Sequence, residues 1–171
     1  DTNGYTNKAN ISIYDNSEDG FKDLKDSYTM FAPSYKKGNV KQRGRFNVGE
    51  KFALSMFEVA KIKSTSGSVL FQKNGTRKKM YDKTEKGTLF FGQIKIKKSE
   101  VQDLLLKCKN IIPPKGITFT VNGEDINRLD VYKSFSETLP TIIQDDEGNL
   151  IRSSRTTKIE LFKTTENYIY E

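Results

Sequence analysis

The sequence predicts an α+β fold, a two-layer sandwich in which a mixed, largely antiparallel sheet carries helices on one face. Three observations predict it. Segments with period-two alternation and segments with helical spacing follow each other as strand, helix, loop, helix, strands, helix, strands. From residue 116 onward nearly everything reads as strand, punctuated by Asn, Asp and Gly turns. No repeat or linker interrupts the 171 residues, a length that suits one core, so residues 1–171 are read as one domain.

The elements follow in order. ANISIYD (9–15) sets Ile11 and Ile13 against polar neighbours, a strand, and ends in the turn-rich DNSEDGF. FKDLKDSYTMF (21–31) has apolar residues at 21, 24, 28 and 31, the spacing of a helix face, and Pro33 closes it. Residues 32–47 form a long basic loop without periodicity, a length usually reserved for function or motion. GEKFALSMFEV (49–59) places Phe52, Met56 and Val59 on one face and is read as a buried helix. Two strands joined at Ser66-Gly67 follow, with a second turn at Asn74-Gly75. TLFFGQIKI (88–96) is a strand, and SEVQDLLLKCKNII (99–112) is a helix capped by Ser99 and stopped by Pro113-Pro114. GITFTVNGEDI (116–126) holds a strand and an Asn-Gly turn, and the remainder holds several strands with hairpin turns at DDEG and TTEN.

Composition narrows the function classes. Eleven Phe and eight Tyr are too many for a disordered chain. The net charge of +7 suits an anionic partner, although most lysines lie near Asp or Glu and also serve as a solvated surface. No histidine occurs, which excludes His-based triads, His metal sites and His general bases. The single cysteine, Cys108, has no internal disulfide partner and is read as a buried or half-buried thiol within the third helix. No membrane-spanning run and no signal peptide is present, so the expected location is cytoplasmic. Asp145-Asp146 fall in the DDEG turn and are read as solvated, and DGFKDLKD lacks the acid spacing of a calcium loop.

Two stretches carry candidate chemistry. Asp15 and Asn16 close the first strand, where a carboxylate can accept a hydrogen bond from a ligand amine and Gly20 lets a flat ligand approach the backbone. The same residues also suit an Asx turn that caps the next helix, with Asn16 or Asp19 as the cap. The second stretch is Arg43-Gly44-Arg45-Phe46-Asn47-Val48-Gly49-Glu50-Lys51. Its glycines free the backbone, Asn47 tolerates a left-handed conformation, and the helix start near Gly49 offers unpaired N–H groups to an anion. A plain surface loop with a glycine cap has the same features, and no P-loop pattern is present.

Taken together, ISIYDNSEDGF and RGRFNVGEKFALS resemble the GHKL ATPase superfamily, which includes gyrase B, MutL, the large heat-shock chaperones and the sensor kinases. In that family an Asp-Asn-Gly turn after a strand reads the adenine amino group, and a G-R-F-G-V-G-x-K lid closes over the phosphates. RTTKIELF (155–162) resembles its late strand, with Thr157 at the place that supports the adenine-binding Asp, and PSYKKG resembles the lid entry through Ser34, Lys36 and Lys37. The resemblance covers most of the chain. It implies a Bergerat-type ATP-binding fold, with adenine nucleotide and Mg2+ as cofactors and a nucleotide-driven switch. The sites it implies are Asp15, Asn16, Gly20, Ser34, Lys36, Arg43, Gly44, Arg45, Phe46, Asn47, Val48, Gly49, Lys51 and Thr157. Ser17 stands where the family has its first Gly, with one extra residue before Gly20, and Asn47 stands where the lid has Gly. The lid also lacks the short glycine pairs of sensor kinases, which sets the chain nearer gyrase B and MutL.

In the family a Glu general base and a magnesium-holding Asn lie on a helix ahead of the first strand. The resemblance puts both upstream of Asp1, so it implies no catalytic residue and no metal ligand within these residues, and weak ATP binding without turnover. It also implies DNA or a downstream effector as a partner, nucleotide-dependent dimerisation and no membrane. Two other readings stand beside it. A nucleic-acid-binding module would use Lys36, Lys37, Lys41, Arg43 and Arg45 with Tyr35 and Phe46, and a second cluster at Arg77-Lys78-Lys79. A fold-only interaction domain would keep the architecture without the nucleotide.

Overall fold

The computed structural model describes residues 7–21, 23–29, 49–145 and 147–163. The chain divides between Gln102 and Asp103 into two units. The first holds β1 (Lys8–Asp15), a 3-10 turn (Leu24–Ser27), α1 (Gly49–Ser55), β2 (Phe57–Ser64), β3 (Gly67–Gln72), β4 (Arg77–Met80) and β5 (Thr88–Lys95). Helix α2 (Lys98–Lys109) carries the chain into the second unit, which holds β6 (Thr120–Val121), β7 (Glu124–Asp125), β8 (Val131–Gln144) and β9 (Leu150–Phe162). The fold is strand-rich α+β, as the sequence predicts.

The five strands of the first unit form one sheet in the order β1-β5-β2-β3-β4. Every described pair is antiparallel, so the parallel component expected of a mixed sheet is absent there. Short returns explain this for β2–β3 and β3–β4: Thr65 and Ser66 alone link β2 to β3, and parallel pairing needs a crossover of a dozen residues or more. Alternation then gives the sheet two faces. On one, Ala9, Ala60, Ile62 and Val69 are buried, and the Phe90 ring meets Phe57 edge-on at 5.1 Å. The 3-10 turn lies on that face, with Leu24 against Gly67.

Two expected helices are shorter than their spacing predicts. Within 21–31 only Leu24–Ser27 is helical among the described residues. Asp23 caps the turn, its side chain accepting from Lys25 N at 2.9 Å, and Ser27 Oγ donates to Leu24 O at 2.7 Å, taking up a carbonyl that a continuing helix would bond through its backbone. Helix α1 ends at Ser55, and Phe57 and Val59 belong to β2. The apolar face expected at 52, 56 and 59 is not buried as a helix, since Phe52 is 67% and Met56 65% exposed. The alternation of FEVAKIKS outweighs helical spacing because β2 pairs on both sides and buries Ala60 and Ile62.

β5 and α2 lie close to their expected bounds, although α2 ends at Lys109 and not at residue 112. β5 occupies residues 88–95 of the predicted 88–96. Helix α2 begins at Lys98, one residue ahead of the predicted start, and Glu100 Oε2 accepts from Lys97 N at 2.8 Å in place of a Ser99 cap. Cys108 is a half-buried free thiol.

In the second unit, Asn122 (φ 52°) and Gly123 (φ 82°) form the two-residue turn between β6 and β7 that Asn-Gly predicts. The region after residue 130, read as several strands, is two long strands paired over nearly their whole length. The predicted DDEG turn joins them, with Asp145 accepting from Asn149 N at 2.7 Å. Arg128 ties the unit together: it donates to Pro113 O at 2.5 Å, pairs with Glu160 and stacks 5.0 Å from the Phe162 ring. The predicted TTEN turn lies outside the described residues.

Candidate functional site

β1 ends at Asp15, where the sequence places its candidate carboxylate. The side chain is exposed, and its Oδ1 accepts from Ser17 N at 3.0 Å, an Asx turn of the kind the sequence allows. The cap of the following 3-10 turn is Asp23, neither Asn16 nor Asp19. Around Asp15 the backbone is crowded on one side. Gly87 has φ +69°, and a Cβ there would strike the Asp15 carbonyl. Gly20 has φ +56°, and a Cβ there would strike Ser64 Oγ and the Gly87 carbonyl. Ser64, fully buried, accepts from Phe21 N at 2.7 Å, and Thr65 Oγ1 donates to Asp19 O at 2.6 Å. Thus Asn16–Phe21 is pinned onto the β2–β3 hairpin while Asp15 faces outward.

Strand register locates Asp15. Asp15 pairs with Thr88, Thr88 with Ser64 and Ser64 with Gly67, so all four share one end of the sheet. A cleft of about 340 Å3 opens at the other end, between Tyr28, Lys51, Phe57, Phe71, Lys73 and Arg77. The Arg77 guanidinium lies 5.2 Å from the Tyr28 ring, a cation–π contact, and Lys51 Nζ donates to Asp26 O at 2.6 Å. Lys73 pairs with Glu58, whose carboxyl this hydrogen bond holds below its ordinary range.

Of the predicted site residues, Gly49 opens α1 as expected, and Lys51 reaches the cleft. Asp15, Asn16 and Gly20 gather at the opposite sheet end and do not line it. The stretch after Gly20 bridges the two regions, since Phe21 bonds Ser64 and Tyr28 stacks with Arg77. Ser34, Lys36, Arg43, Gly44, Arg45, Phe46, Asn47 and Val48 lie outside the described residues. Thr157 sits on β9 in the second unit, half-buried, opposite Glu137, and its hydroxyl donates to Arg155 O at 3.3 Å.

Ser64, Gly87, Tyr28 and Arg77 were not singled out as part of a nucleotide site by sequence reasoning. Gly87 carried a signal, standing just ahead of a strong strand; Ser64 carried none, because its partner is 43 residues away. Among the described residues no group of three or more His, Cys, Asp or Glu is placed to hold a metal. No described helix is long and apolar enough to cross a membrane.

Comparison settles no family. No family model, no curated protein and no solved structure matches the chain.

Proposed function

We propose that the chain is an ATP-binding domain of the Bergerat type, used as a nucleotide-driven switch and closer to gyrase B and MutL than to sensor kinases. The observation that carries the reading is the end of β1 at Asp15, with an exposed carboxylate at the strand terminus. An acceptor there can take the amino group of adenine, whereas guanine carries a carbonyl at the corresponding position. The start of α1 at Gly49 agrees with the second motif, because a helix start presents N–H groups to phosphate. In this reading the switch is set by contacts to the γ-phosphate, which are made with ATP and lost with ADP. The reading assigns binding, and no hydrolytic step, to the described residues.

Calorimetric titration tests it. ATP with Mg2+ is expected to give weak saturable heat, GTP none, and Asp15→Asn is expected to abolish the ATP signal. Equal heats from wild type and Asp15→Asn would remove Asp15 from the site.

A further inference from the structure

The second face of the first sheet has no role in the nucleotide reading. Register places Ser12, Phe91, Lys61, Leu70 and Lys78 in one row across the five strands, and Tyr14, Leu89, Lys63, Ser68 and Met80 in the next. The stretch 81–86 crosses the β2–β3 part of this face. Asp82 accepts there from Ser68 Oγ at 2.5 Å and from Lys61 Nζ at 2.7 Å, and Thr84 N donates to Ser64 O at 3.1 Å. On the β1–β5 part no described residue lies across the rings, with Tyr14 58% and Phe91 41% exposed.

These two rings are diagonal neighbours on adjacent strands, since Tyr14 pairs with Leu89 and Ser12 with Phe91. Diagonal neighbours lie about 7–8 Å apart on one face, within reach for aromatic side chains. Tyr14 is tethered by its hydroxyl, which donates to Lys86 O at 3.3 Å. Beside the rings stand amides able to bond base edges, Gln93 and Asn10, which touch at 3.3 Å. At the end of the strip Lys8 and Lys95 are directly opposite each other, a like-charge pairing that destabilises a sheet. Glu58, 3.9 Å from Lys95 and also bonded to Lys73, offsets this only in part. Lys78, exposed on the edge strand β4, adds a cation at the far side of the same face.

We infer that this sheet face is a stacking platform for single-stranded nucleic acid, with bases on Tyr14 and Phe91 and phosphates toward Lys8, Lys95 and Lys78. Exposed aromatics on adjacent antiparallel strands, rimmed by cations, are what splayed bases need, whereas a duplex hides its base faces. An apolar protein surface would find too many polar neighbours here, and an acidic peptide would have no use for the rings. The inference does not rest on ATP binding.

Fluorescence anisotropy without nucleotide tests it, using labelled poly-dT and poly-U of about 12 nucleotides and a duplex of equal length. Single strands are expected to bind better than duplex, and affinity is expected to fall with salt. Tyr14→Ala and Phe91→Ala are each expected to weaken binding by roughly 5- to 150-fold. Lys78→Glu is expected to weaken binding more than Lys115→Glu, an equal charge change at an exposed site in the second unit. Because the chain has no tryptophan, Phe91→Trp supplies a reporter that keeps the ring and does not rely on a truncating variant. Single strands are expected to quench its emission. Unchanged emission, unchanged affinity in both alanine variants, or equal loss from the two Lys→Glu variants would overturn the platform. Equal quenching by polyglutamate would reassign the face to an acidic protein.

Discussion

At the residue scale, Gly87 shows how one position sets the geometry at the end of β1. Its φ of +69° is costly for any residue with a side chain, and the added methyl would meet the Asp15 carbonyl rather than a flexible tip. Gly87→Ala is therefore expected to destabilise the protein by about 2–4 kcal/mol, read as a lower denaturation midpoint in urea. Gly75, with φ +83° and nothing within 4 Å of where a methyl would stand, bears only the conformational part, so Gly75→Ala is expected to cost about 1 kcal/mol in the same assay. The contrast separates strain from collision. Gly20 was legible from its turn; the collision at Gly87 was not, because it involves a residue 72 positions earlier whose proximity only the β1–β5 pairing creates.

At the element scale, the Asp82 carboxylate joins a backbone bond from Thr84 to Ser64 in holding the stretch 81–86 across β2 and β3. Hydrogen bonds from Lys61 and then Ser68 depress the Asp82 carboxyl from its ordinary 3.8 to about 2. A folded value below the ordinary one means that the ionised form favours the folded state. That contribution is complete above pH 3.8 and is lost as pH falls toward 2. Thermal melts are expected to lose stability through this window, and Asp82→Asn is expected to flatten the loss while lowering stability at neutral pH. An unchanged slope in the variant would free Asp82 from this role. Element type was legible where period and turn residues agreed, as in β5, α2 and the Asn122-Gly123 hairpin. It failed at 21–31 and 56–59. In the first, Ser27 takes up the Leu24 carbonyl that a continuing helix would use; in the second, a helical spacing of apolar residues coincides with a strand that two neighbours stabilise.

At the scale of the whole molecule, the two units are built differently. The first buries Ala60, Ile62 and Val69 on inner strands of a five-stranded sheet. The second relies on a two-stranded ribbon, β8–β9, in which most residues are exposed, and such a pair is marginal in water by itself. Hydrogen exchange is expected to protect amides of β2, β3 and β5 at least about 100-fold more than those of β8 and β9. Equal protection would mean that another surface covers the ribbon in solution.

Local residue order was enough to set the strand-rich α+β class, the end of β1 at Asp15, the helix start at Gly49 and the Asn-Gly turn, because dihedral preference and side-chain period reside in neighbouring residues. Three-dimensional pairing was needed to insert β5 between β1 and β2, to set Asp15 and the cleft at opposite sheet ends, and to bring Tyr14 and Phe91 onto one open face. Those outcomes depend on which strands pair to bury Ala60, Ile62 and Val69, and pairing across tens of residues leaves no trace in a local pattern.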